Sequence, residues 1–287
     1  MASQDDKKAE KITAEKIAGD LKKDPDVLHD LVYALNPIKF AQRLGINPDE
    51  WQWNLLLSNA SRIILNCSRQ SGKSTIVAIL ALHHSLYTKK ALTLVVSPSE
   101  RQSKELFAKI VSFYQDLKLE KEGTILDSET ENKHELQLSN KSRIISLPSK
   151  PQTLRGYSAP SLILIDEAAQ CADELYDALT PMLAVSKGRL ILLSTPFGRS
   201  GFFYNMWVNG GRDWEPYKVT AVQCPRISPE WLEEQRRNTS AWSFAQEYEC
   251  SFEANESSFF DTDEVKRAFS DKVKAIRVRL NIKGKTA

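Results

Sequence analysis

Apolar and polar positions follow two rhythms along this chain. Short apolar runs recur at Ile63–Cys67, Leu92–Ser97, Arg143–Leu147, Leu162–Asp166, Leu190–Ser194 and Tyr217–Val222, and such runs read as strands. Stretches with helical spacing separate several of them, at Ser74–Tyr87, Ser99–Tyr114 and Asp173–Val185. The runs Leu162–Asp166 and Leu190–Ser194 are nearly continuous, as parallel strands covered on both faces are. Glu135–Ser139 and Ser142–Leu147 flank Asn140-Lys141 and predict a β-hairpin inserted in the core. The pattern as a whole predicts an α/β chain with a mainly parallel, doubly wound sheet.

The flanks read differently. From Asp24 to Leu57 the period is helical, with Leu28, Leu31, Val32 and Leu35 on one face. Pro37 interrupts it, Gly45–Pro48 reads as a turn, and a short helix follows around Trp51-Gln52-Trp53. Beyond Ser228, Glu230–Asn238 and Trp242–Glu249 read as two short helices, and Lys266–Ala287 is basic without a core pattern. The expected organisation is a charged, helical segment over 1–34, a core over 35–225, a small helical subdomain over 226–265 and a basic tail over 266–287.

Composition narrows the function classes. With 287 residues and 41% hydrophobic content, the chain can bury a substantial core. A net charge of +2 is too small to argue nucleic-acid binding from electrostatics alone. Lys89, Lys90, Arg101, Lys104, Lys109, Lys141 and Arg143 could track a phosphate backbone, but scattered lysines usually form a solvated face. The four cysteines, Cys67, Cys171, Cys224 and Cys250, include no C-x-x-C pair and read as reduced thiols. No apolar run reaches membrane-spanning length, and no membrane role is expected.

The chemistry begins at Cys67-Ser68-Arg69-Gln70-Ser71-Gly72-Lys73-Ser74-Thr75, between a predicted strand and a predicted helix. That context makes a P-loop: backbone N–H groups and the helix dipole face an anion, Lys73 reaches the β/γ-phosphates, and the Ser74 hydroxyl sits on Mg²⁺. The general pattern wants glycine where Cys67 stands. At the tip of the run Leu162–Asp166, the carboxylates Asp166 and Glu167 lie where ligands bind in open α/β sheets. Asp166 would hold Mg²⁺ and Glu167 would polarise the attacking water; alone, the pair could be a solvated strand end. Ser194-Thr195-Pro196 ends another buried run, as an ST-turn or as a hydroxyl sensor of the γ-phosphate. Arg155, beside Gly156, suits an arginine supplied to a neighbour's site, an effect of roughly 10³ to 10⁵ in rate. Arg69 competes for that role in cis. The Gln52 amide can both donate to and accept from an adenine edge; without the P-loop downstream, a solvated glutamine beside two core tryptophans would be the preferred reading.

Taken in order, Gln52, Ser68–Ser74, Leu154-Arg155-Gly156, Leu162–Glu167 and Ser194-Thr195-Pro196 resemble the ATPase half of the large terminase subunit of tailed bacteriophages. The resemblance spans roughly residues 35 to 265, and Trp242–Phe252 is similar to the close of that family's ATPase region. It implies a P-loop ATPase of the ASCE type that uses ATP and Mg²⁺ to drive double-stranded DNA into a prohead. Gln52 takes the adenine-contacting place, Ser194 and Thr195 the coupling motif, and Arg155 the position acting on a neighbour's ATP. Portal protein and small terminase subunit are the implied partners, in a ring of five subunits in the cytoplasm of the infected host; the isolated domain can be monomeric. Large terminases usually continue into an RNase H-like nuclease, and here only Asp261 and Asp263 stand in the connecting segment, so a missing nuclease domain is expected. A helicase or another P-loop translocase is the second expectation, weakened by the lack of a second core. A nucleotide-dependent scaffold is the third, weakened by Lys73, Asp166 and Glu167.

Overall fold

The computed structural model describes residues 25–120, 128–148, 154 and 156–253. Alternate residues of each strand point to opposite faces, and this builds two cores. In β1 (Arg62–Cys67) Ile63 and Leu65 face one side and Ile64 the other; in β6 (Leu162–Asp166) Leu162 and Leu164 oppose Ile163 and Ile165. β7 (Arg189–Ser194) divides in the same way, with Ile191 and Leu193 against Leu190 and Leu192. The first core is closed by α2 (Pro37–Arg43), α3 (Glu50–Leu57), α4 (Lys73–Tyr87) and α5 (Glu100–Glu120). The second is closed by α6 (Asp173–Leu179), α7 (Leu183–Ser186) and α8 (Gly201–Asn209).

The remaining strands are β2 (Leu92–Ser97), β3 (Ser128–Glu131), β4 (Glu135–Leu138), β5 (Arg143–Pro148) and β8 (Glu215–Val219). Among the described residues the sheet has eight strands in the order β3-β4-β5-β2-β6-β7-β1-β8. The six from β5 to β8 are parallel, and β4 and β3 extend the sheet in antiparallel fashion. Because β1 and β2 are separated by β7 and β6, the carboxyl ends of these strands open a crevice, the usual ligand site of such sheets.

Several expectations shift. The helix expected over Asp173–Val185 breaks into α6, a 3-10 turn at Thr180–Met182 and α7, because Pro181 has no N–H to continue the helical bonding. The last strand lies at Glu215–Val219, not Tyr217–Val222, and includes Pro216. A proline is tolerated there because β8 is an edge strand. Pro37 starts α2, and the Asn36 side chain caps it by accepting from the N–H groups of Ile38 and Lys39 at 3.1 and 3.0 Å. Asn36→Ala is therefore expected to lower stability by about 1 kcal/mol, measured by urea unfolding. In α1 (Pro25–Leu35) the apolar residues Leu28, Leu31, Val32 and Leu35 remain exposed. The two helices expected after Ser228 are α9 (Pro229–Asn238) and α10 (Ala241–Glu249). Residues 1–24, Arg155, Asp261, Asp263 and 266–287 lie outside the described residues. No described helix is long and apolar enough to cross a membrane.

Candidate active site

The loop between β1 and α4 is shaped by two left-handed residues, Gln70 at φ 60° and Gly72 at φ 86°. Alternation of this kind turns successive N–H groups inward as an anion-binding nest. The Ser68 and Arg69 amides instead donate out of the loop, to Val219 O at 2.8 Å and Glu247 O at 3.1 Å. Those bonds tie the loop to the end of β8 and to α10. The first-turn amides of α4 have no intrahelical partner and face the same cleft. A side chain at Gly72 would be strained by the positive φ, and its Cβ would press on the side-chain ends of Gln52, 2.9 Å from Nε2, and Arg226, 3.2 Å from Nη2. Cys67, in place of the usual glycine, is fully buried, and burial pushes its thiol far above its ordinary pKa. It is a small apolar plug under the loop.

Opposite the loop stands the tip of β6. Asp166 is buried, and desolvation pushes its carboxyl up to about 6, with the neighbouring Glu167 adding to the shift and Lys73 opposing it. Its Oδ1 accepts the Glu167 N–H at 3.0 Å. Glu167 adopts a left-handed backbone, φ 49° and ψ 43°, a conformation uncommon outside glycine and often found at functional sites. Its carboxylate lies between two predicted site residues: Oε1 is 3.7 Å from Lys73 Nζ, and Oε2 accepts from Ser194 Oγ at 3.4 Å. Ser194 and Thr195 are buried at the end of β7. The hydroxyl of Ser74 and the carboxyl of Asp166 are hard oxygen donors, and Mg²⁺ is commonly held by one or two such groups together with substrate phosphates. The chemistry of these two donors fits a Mg²⁺ that is also bound by phosphate oxygens.

A cleft of about 960 Å³ is lined by Arg69 to Thr75, Glu167 and Thr195, with Asp166 and Ser194 buried next to that lining. Two predicted residues have protein partners in the structure. Gln52 is buried behind Gly72, and its Oε1 accepts the Asp49 N–H at 2.9 Å in the capping box of α3. Arg69 is paired with Glu247 of α10, Nε to Oε2 at 2.5 Å. The cleft also contains Lys109, which the sequence offered only as one of its scattered lysines, and residues it had not marked: Gln102, Gln170, Arg226, Ile227, Ser228 and Trp231. Lys109 Nζ donates to Thr75 Oγ1 at 3.3 Å. Only the strand order could have revealed these residues, because their side chains stand on helices and loops with no motif.

A P-loop after β1, acidic residues at the tip of a nearby buried strand and a mainly parallel sheet define a P-loop NTPase fold of the ASCE type. Residues 64–267 match the family described as terminase large subunit, T4likevirus-type, N-terminal. The match covers well over half of the sequence, and the chain belongs to that family. It is similar to the large terminase subunit of Thermus virus P23-45, 23% identical over 255 residues, covering 77% of this chain and 52% of that protein. The large terminase subunit of Escherichia phage T5 is 29% identical over 230 residues, covering 76% and 51%. The chain thus spans about half the length of these curated relatives. The ATPase domain of the Thermus phage P74-26 large terminase shares the fold, with TM-score 0.66 and 22% identity over 75% of this chain and 98% of that one. The HK97 large terminase does so with TM-score 0.62 and 16% identity over 75% and 54%.

Proposed function

We propose that this chain hydrolyses ATP with Mg²⁺ and couples the cycle to movement of double-stranded DNA, as the ATPase part of a large terminase. The carrying observation is the approach of Lys73 to Glu167 across the cleft, 3.7 Å between Nζ and Oε1. The helical ends and loop amides hold the triphosphate, and Lys73 moves from Glu167 to the β/γ-phosphates. Ser74 and Asp166 would hold Mg²⁺, which would supply positive charge against that developing on the phosphoryl oxygens. Glu167, released from Lys73, accepts the proton of the attacking water. Ser194, within hydrogen-bond reach of the same carboxylate, passes the presence or loss of the γ-phosphate to the end of β7, with Thr195 beside it. Arg155 and Arg69 are the candidates for stabilising the transition state. The core over 35–225 carries these parts, and Arg226 to Ser228 with Trp231 of α9 close one side of the cleft.

Membership in the terminase family supports the wider setting: double-stranded DNA as the moved substrate, a portal protein and a small terminase subunit as partners, and a five-membered ring in the host cytoplasm. The test is phosphate release from ATP and Mg²⁺ by the chain assembled with DNA and portal. Wild type is expected to turn over, and Lys73→Ala to weaken ATP binding about a hundredfold through loss of charge-assisted phosphate contacts. No phosphate release by wild type under those conditions sinks the reading.

A further inference from the structure

The strand order fixes the direction in which a nucleotide lies. Glu167 and Gln170 follow β6, Thr195 follows β7, the P-loop follows β1, and Arg226 to Trp231 follow β8. These strands are consecutive in the sheet, β6-β7-β1-β8. Gln102 and Lys109 extend the row by one strand, since α5 follows β2. The cleft therefore spans four inter-strand steps of roughly 4.8 Å, about 19 Å in all, of which the three from β6 to β8, about 14 Å, lead from Glu167 to Trp231. The reacting phosphate belongs at the β6–β7 end, beside Glu167. The base must then project the other way, over the end of β8.

We infer that the base is held there by stacking on a wall made of Trp231, Ile227 and the guanidinium face of Arg226. The inference rests on the nucleotide-hydrolysing reading above. Trp231 is 39% exposed and braced edge-to-face by Tyr248 of α10, with ring centroids 5.7 Å apart. Arg226 is held by its edges: Nη1 and Nη2 donate to the two Asp49 carboxylate oxygens at 3.0 and 2.7 Å, and Nη2 donates to Ser71 O at 2.8 Å. Its fork is thereby turned onto Asp49, leaving the plane of the cation for a base to stack on. Gln52 stands one layer behind. Its amide oxygen holds the Asp49 N–H, so it positions Arg226's partner and does not line the cleft.

A tryptophan platform contributes to any ligand with a base and nothing to a bare polyphosphate. Calorimetric titration with ATP and with inorganic tripolyphosphate separates the two. Trp231→Ala is expected to weaken ATP binding about tenfold with tripolyphosphate affinity unchanged, and Trp231→Phe to recover most of the loss. Unchanged ATP affinity in Trp231→Ala overturns the inference. So does equal loss of both ligands, which would place Trp231's role in shaping the loop. Wild type that binds tripolyphosphate but gains nothing from the base overturns the wall alone, whereas wild type that binds neither ligand overturns the nucleotide reading beneath it.

Discussion

Glu167→Gln is expected to cut ATP turnover by about 10² to 10⁴, the usual contribution of a positioned general base. ATP binding should be kept or improved. In the structure the Glu167 carboxylate pairs with Lys73 at 3.7 Å, both side chains being mostly buried. ATP must draw Lys73 away from that partner. Glutamine keeps the shape and an oxygen for Ser194 to donate to, but carries no charge to compete for the lysine. A fluorescent-nucleotide titration beside single-turnover phosphate release measures both halves. Full turnover by the glutamine variant removes Glu167 from the base role.

The parts of the fold that were legible in the sequence are those whose burial is complete. β2 and β6 lie where their apolar runs place them, because every strand residue there meets a neighbour strand and a helix layer. Tertiary context governed the rest. β3, Ser128–Glu131, has no apolar signal and is a strand by pairing with β4. α8 opens Gly201-Phe202-Phe203, a poor helix sequence by propensity, and packs both phenylalanines into the second core. The break at Pro181 was visible as a residue but hidden by the surrounding helical period.

The site divides in the same way. Lys73, Asp166, Glu167 and Ser194 stand on one continuous motif or at a strand tip, and each strand end of a doubly wound sheet opens on the same crevice. Their meeting follows from local sequence plus topology. Arg226, Trp231 and Lys109 come from segments without a motif, and only the order β2-β6-β7-β1-β8 lines them up. Glu247, which pairs with Arg69, lies 178 residues away in sequence, beyond any local pattern.

Arg155→Ala is expected to lower turnover of the assembled ring by about 10³ to 10⁵, the range for an arginine supplied to a phosphoryl-transfer site. The choice between Arg155 and Arg69 turns on what holds each. Arg69 is already bound twice to α10, through Nε to the Glu247 carboxylate and through its amide to the Glu247 carbonyl. The amide bond fixes the loop and leaves the guanidinium as the movable part. That side chain is 63% exposed, and an exposed ion pair is worth only about 0–1 kcal/mol. Arg69 can therefore exchange Glu247 for phosphate at small cost, which suits a group that positions its own ATP. Such a group leaves the trans position to Arg155. Mixing the Arg155→Ala chain with the Glu167→Gln chain discriminates between them. Each is inactive alone, but at interfaces where an intact Glu167 meets a neighbour's intact Arg155, turnover should return. No recovery in the mixed ring, together with an equally large loss in Arg69→Ala, would transfer the role to Arg69 in cis.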